Sequence, residues 1–159
     1  MHLELDIEVE DNIDGVPEQA EFIRWVRAAI EQSGRSMSQA ELSIMVVSSK
    51  VSQSLNDQYR NKNKPTNVLS FPADIPEYVE SPLLGDLVIC APVLEQEAAE
   101  QSKALIDHWA HLTIHGCLHL LGFDHIDDSE AEIMESIEIK VLQQLGISNP
   151  YLLNEIAVE

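Results

Sequence analysis

Residues 3 to 9, Leu-Glu-Leu-Asp-Ile-Glu-Val, alternate apolar and acidic side chains, and this period of two predicts a strand with one buried face. From Pro17 to about Gln32 the period changes: Phe22, Ile23, Trp25, Val26, Ala29 and Ile30 recur at helical spacing, with Pro17 suited to a first turn and Gly34 to the exit. A second strand is expected from Glu41 to Ser48 around Leu42, Ile44, Val46 and Val47. A helix from Ser49 to Tyr59 follows, with Val51, Leu55 and Tyr59 inward. Val68 to Phe71 and Gly85 to Cys90 are short apolar runs that suit buried strands. Between them, Pro72 to Gly85 is rich in proline and acids and reads as a loop or lid rather than a linker. A polar helix is expected after Pro92 to about Ser102, and a longer apolar one from Leu105 to Leu121. Asp128 or Ser129 would cap a last helix, Glu132 completing a capping box. Its stripe is Ile133, Met134, Ile137, Val141, Leu142 and Leu145, and it ends at Gly146.

At 159 residues the pattern fits one domain spanning the chain, with a core of ordinary size. No apolar run is long enough to span a membrane, and acids stand near Met1 where a signal peptide would carry lysines, so a cytoplasmic location is expected. Cys90 and Cys117 lie in apolar surroundings without metal-knot spacing and read as reduced, buried thiols. A formal charge of −19 disfavours long-range attraction to nucleic acid. Yet three of only nine Lys and Arg residues, Arg60, Lys62 and Lys64, fall within five positions. Such a cluster is more often a solvated loop than a phosphate site. Beside a metal centre it gains weight.

The candidate metal centre lies on the apolar helix. His115 and His119 are four residues apart and so share one helix face. Gly122 supplies a helix stop that lets His125 return toward them, and three imidazoles on a tetrahedral zinc would leave the fourth position for water. Cys117 is turned about 200° from His115 and suits packing better than ligation. His108 and His111 continue the column upstream, where a supporting or structural role is the better reading. The histidine and glycine spacing matches the metzincin protease run, but Gly116 replaces its glutamate, and a peptidase mechanism loses its proton acceptor. Asp124 has two level readings: it orients a ligand or handles a proton, or it caps the turn. Met134 suits the core.

Three segments together carry a family resemblance: His115 to His125, Tyr59 to Pro72 (Tyr-Arg-Asn-Lys-Asn-Lys-Pro-Thr-Asn-Val-Leu-Ser-Phe-Pro), and Leu84 to Ile89. They resemble the bacterial YbeY family of metal-dependent endoribonucleases, with Phe123 where tyrosine is common. The resemblance implies an α+β fold, a small mixed four-stranded sheet packed with about five helices, and a metal site on a buried central helix. It implies one catalytic Zn2+ per chain, or another divalent transition metal in a purified sample, held by His115, His119 and His125, with Arg60 as the functional arginine. The implied activity is cleavage of single-stranded RNA in maturation of the 3′ end of small-subunit (16S) ribosomal RNA and in ribosome quality control. The partners would be ribosomal RNA, the small subunit and ribosome-associated proteins, and neither DNA nor membrane is expected.

In that setting the metal would activate water or a ribose hydroxyl, Arg60 would pair with a phosphate oxygen, and Lys62 and Lys64 would hold flanking phosphates. Two other classes remain open: a ribosome assembly factor with a structural metal, and a metallohydrolase of another bond, with peptides disfavoured by Gly116.

Overall fold

The computed structural model describes residues 1–76, 78–124 and 126–151. The elements are β1 (His2–Val9), α1 (Gln19–Gln32), β2 (Gln39–Val47), α2 (Ser49–Arg60), β3 (Val68–Pro72), β4 (Leu83–Cys90), α3 (Ala91–Glu100), α4 (Leu105–Leu120) and α5 (Asp128–Gln144). The four strands form one sheet in the order β1-β2-β4-β3. β1 and β2 are parallel, as are β2 and β4, whereas β3 runs antiparallel to β4. Parallel neighbours need a crossover, and α1 supplies the one between β1 and β2. The architecture is the expected α+β arrangement of five helices on a mixed four-stranded sheet.

Alternation along the strands divides the apolar side chains between two unequal cores. Leu42, Ile44 and Val46 of β2, with Leu87 and Ile89 of β4, join the large core built with α1, α4 and α5. The intervening Val47, Leu69 and Val88 face the other way and pack against Val51 and Leu55 of α2 and against Phe71. Tyr59 departs from the sequence expectation. Instead of pointing inward it is 59 % exposed, at the last turn of α2, where its ring meets Phe71 of the edge strand β3. Ile133 is also turned outward at 56 % exposure, leaving Met134, Val141 and Leu142 as the buried stripe of α5.

Helix boundaries follow local chemistry. Ser48 caps α2 by accepting a hydrogen bond from the Val51 N–H, and Asn61 ends that helix in the left-handed conformation. The cap of α5 is Asp127, which accepts from the Glu130 N–H, rather than Asp128 or Ser129. Helix α4 is apolar on all but one face, as a helix enclosed on its other sides must be. From His108 to Leu120 every residue is buried except His111, His115 and His119, a single column four residues apart. Among the described residues, no helix is long and apolar enough to cross a membrane.

Candidate metal centre and groove

The column of half-buried histidines on α4 is oriented by two different devices. At the C-terminus of the helix, Gly122 takes φ +99, the Gly122 N–H donates to the His119 carbonyl (3.0 Å) and the Phe123 N–H donates to the Leu118 carbonyl (3.1 Å). This is the pair of reversed hydrogen bonds that closes a helix around a glycine. The same turn aims the Phe123 carbonyl at His119, whose Nδ1–H donates to it at 3.0 Å. A carbonyl oxygen only accepts, so the proton of neutral His119 sits on Nδ1 and its Nε2 carries the lone pair.

His115 is fixed from the opposite side, by α5. Its Nδ1 forms a short hydrogen bond to Oε1 of Glu138, a carboxylate with no exposed surface. Oε2 of the same carboxylate accepts from His111 Nε2 at 3.2 Å and from the Tyr151 hydroxyl. Burial alone would raise the Glu138 pKa, but the hydrogen bonds from His111 and His115 outweigh it and bring it down to about 2. Burial and the adjacent carboxylate push the Tyr151 phenol well above its ordinary range, which keeps it a donor. Burial also holds His111 below the usual histidine range, although Glu138 pulls the other way.

With both Nδ1 positions donating, the Nε2 atoms of neutral His115 and His119 face each other as acceptors, 3.1 Å apart. Two lone pairs at that distance repel unless a cation or proton lies between them. Two imidazole nitrogens on one tetrahedral zinc, each about 2.0–2.1 Å from it, would stand about 3.3–3.4 Å apart. The donor set and its spacing therefore fit a divalent ion. Ligand atoms of His111, His115 and Glu138 also lie within 4.8 Å of one another, a His-His-Glu group that could hold a metal. Its hydrogen bonds favour a supporting role, since Glu138 already accepts from three donors and His115 turns Nε2 away from it. His125, the third expected ligand, lies outside the described residues.

The histidine pair opens on a groove of about 790 Å³ whose lining includes Tyr59, Arg60, Asn67, Ser70, Phe71, His115, His119 and Asp124. Arg60 reaches it from the last turn of α2. The turn after Arg60 is pinned to α2: Asn56 Nδ2 donates to the Lys64 carbonyl (2.8 Å), and Ser52 Oγ both donates to the Thr66 carbonyl (2.9 Å) and accepts from its N–H (3.0 Å). Lys62 and Lys64 are exposed on this turn and lie outside the groove lining. Asn67 bridges the groove to α3, its Nδ2 donating to Glu97 while Glu97 also meets His108 Nε2 at 2.9 Å.

Gly116 and Cys117 receive physical reasons. A Cβ on Gly116 would lie 2.8 Å from Leu87 Cδ2 and 3.2 Å from Val68 Cγ2, so glycine lets α4 press onto the sheet. The Gly116 carbonyl accepts from Ser70 Oγ at 3.2 Å. A glutamate there would meet the sheet, not the groove. Cys117 is fully buried, and burial pushes its thiol up to about 12, as packing rather than ligation requires. Glu138 is the site residue that the sequence reading missed. It occupies a core-facing position of α5, four residues after buried Met134 and three before Val141. A carboxylate placed in an apolar stripe needs a buried partner, and that was the available signal.

The fold and site together define an α+β protein whose central helix presents a pair of histidine nitrogens, suited to a cation, beside an arginine-bearing groove. The family described as Endoribonuclease YbeY matches residues 6–146. A relative named Endoribonuclease YbeY, from Colwellia psychrerythraea, is 56% identical over 149 residues, covering 93% of this chain and 96% of its own. The chain belongs to the YbeY family. A solution structure of a Thermotoga maritima protein aligns with a TM-score of 0.54 at 22% identity, over 89% of this chain and 91% of that one, which shows a shared fold.

Proposed function

We propose that this protein is a metal-dependent endoribonuclease that cleaves single-stranded RNA, with His115, His119 and His125 holding one zinc or similar divalent ion. The observation that carries the reading is the 3.1 Å approach of the two Nε2 atoms on the groove that Arg60 also lines. The relative named as an endoribonuclease supports RNA as substrate. When bound, such an ion supplies Lewis acidity to a phosphoryl oxygen and lowers the pKa of water. The chain's own residues do the rest. Glu138 and the Phe123 carbonyl hold the imidazoles in the tautomer that offers Nε2. Arg60 donates to a non-bridging phosphate oxygen and stabilises charge that grows there during displacement. Asp124, which lines the same groove next to His125 in sequence, orients a metal ligand or handles a proton. Lys62 and Lys64, outside the lining, hold phosphates that leave the groove.

We assign the biological substrate as ribosomal RNA, including maturation of the 3′ end of the small-subunit RNA, with a part in ribosome quality control in the cytoplasm. The charge of −19 supports this division of labour: nonspecific affinity for free RNA is weak, so ribosomal context or partner proteins select the target. The reading is tested by cleavage of a single-stranded oligoribonucleotide by the parent, His119→Ala and Arg60→Lys at matched metal content. Loss of cleavage in His119→Ala, and a loss in Arg60→Lys beyond what retained charge predicts, are expected. Parent-like cleavage by Arg60→Lys would remove the two-pronged contact from the account.

A further inference from the structure

Tyr59 is a large aromatic side chain left 59 % exposed at the end of α2, immediately before Arg60, and both residues line the same groove. Phe71 on β3 lines it as well, and the two rings meet at 5.1 Å between centroids with 70° between their planes. In this edge-to-face arrangement the rings do not cover each other's faces as stacked rings would. Phe71 is half-buried against the smaller core, which gives the pair a rigid base. The helix end is also fixed: Asn61 closes it with N–H bonds to the carbonyls of Asn56 and Asp57. An exposed aromatic ring in contact with Phe71 therefore stands one residue from Arg60, the proposed phosphate contact. Consecutive helical residues diverge by about 100°, so the ring and the guanidinium address different parts of one bound nucleotide unit.

We propose that Tyr59, braced by Phe71, is the stacking platform for one unpaired nucleobase beside the phosphate held by Arg60. The inference rests on the endoribonuclease reading and deepens it. Aromatic faces bind unpaired bases with little sequence preference, because every base presents a π-face. A paired base is already stacked within its helix and cannot reach such a platform. Tyr59 thus supplies a physical source for single-strand selectivity that the metal centre and Arg60 do not, since both read the backbone alone. The groove volume of about 790 Å³ has room for a base together with its phosphate.

The test uses the metal-loaded full chain and a short single-stranded oligoribonucleotide carrying one abasic nucleotide, moved along the sequence. Tyr59→Leu keeps an apolar contact with Phe71 but has no π-face, whereas Tyr59→Trp keeps one. Tyr59→Leu is expected to raise KM about tenfold with kcat close to the parent's, and Tyr59→Trp to retain the parent's KM. At one position the abasic substitution should raise the parent's KM by a similar factor and leave that of Tyr59→Leu unaltered. A Tyr59→Leu variant with the parent's KM, or abasic losses equal in parent and variant at every position, would overturn the platform while leaving the nuclease reading in place. A parent that cleaves no oligoribonucleotide would remove both.

Discussion

Glu138→Gln isolates the contribution of the buried carboxylate to the metal centre. Glu138 accepts hydrogen bonds from His115 Nδ1, His111 Nε2 and the Tyr151 hydroxyl. Glutamine has nearly the same shape but only one acceptor oxygen, and it carries no charge. If that oxygen stays with His115, the new amide nitrogen faces His111 and Tyr151, which must change tautomer and rotate to accept. The tautomer of His115 then survives, but its ring is less basic toward a cation. Loss of such an outer partner costs about 10–100-fold in metal affinity, equivalent to about 1.4–2.8 kcal/mol. That range matches the net worth of a hydrogen bond to a charged group, about 1.5–3 kcal/mol. The assay is competition for Zn2+ against a chromophoric chelator, alongside far-UV circular dichroism to establish folding. Saturating metal should then restore much of the variant's RNA cleavage. A folded Glu138→Gln that binds zinc as tightly as the parent would refute the orienting role.

Gly116→Ala should lower stability by about 1–3 kcal/mol, the cost of overpacking, because its Cβ would meet Leu87, a residue with no exposed surface. Thermal denaturation measures this, and an unchanged midpoint would contradict the close approach of α4 to the sheet. Glu97 is held below its ordinary value of 4.5: burial raises it, but hydrogen bonds from His108 and Asn67 outweigh that effect. A depressed carboxylate contributes stability that is present above the unfolded pKa and is lost as pH falls through the folded one. As pH falls below 4.5 the parent's melting midpoint should therefore fall more steeply than that of Glu97→Gln, and parallel curves would deny the contribution. Cys117 should resist iodoacetamide in the native protein and react after unfolding, because burial raises its pKa to about 12.

The parts of the fold with a clean period were legible in the chain. Alternation gave β1, helical spacing gave α1, a long apolar run gave α4, and Gly122 marked the end of α4 where the structure places its left-handed turn. The vicinity of His115 and His119 was legible for the same reason, since four residues on a helix fix a geometry without tertiary knowledge. Glu138 was not, because its partners lie 23 and 27 residues away in sequence on another helix. Tyr59 and Ile133 were misread as inward for a related reason. Periodicity defines a face, but the neighbouring elements decide how far that face is covered. That Arg60 lines the groove while Lys62 and Lys64 do not also escaped the sequence, since charge clustering carries no record of how the turn after α2 is pinned.

In the proposed function, a metal held by His115, His119 and His125 enables RNA cleavage on the groove that Arg60 lines. This is tested most directly by titrating Zn2+ into chelated, folded protein while following cleavage of a single-stranded oligoribonucleotide. Cleavage should be absent before metal is added and should recover to saturation near one equivalent per chain. Undiminished cleavage by the folded, metal-free protein would contradict it.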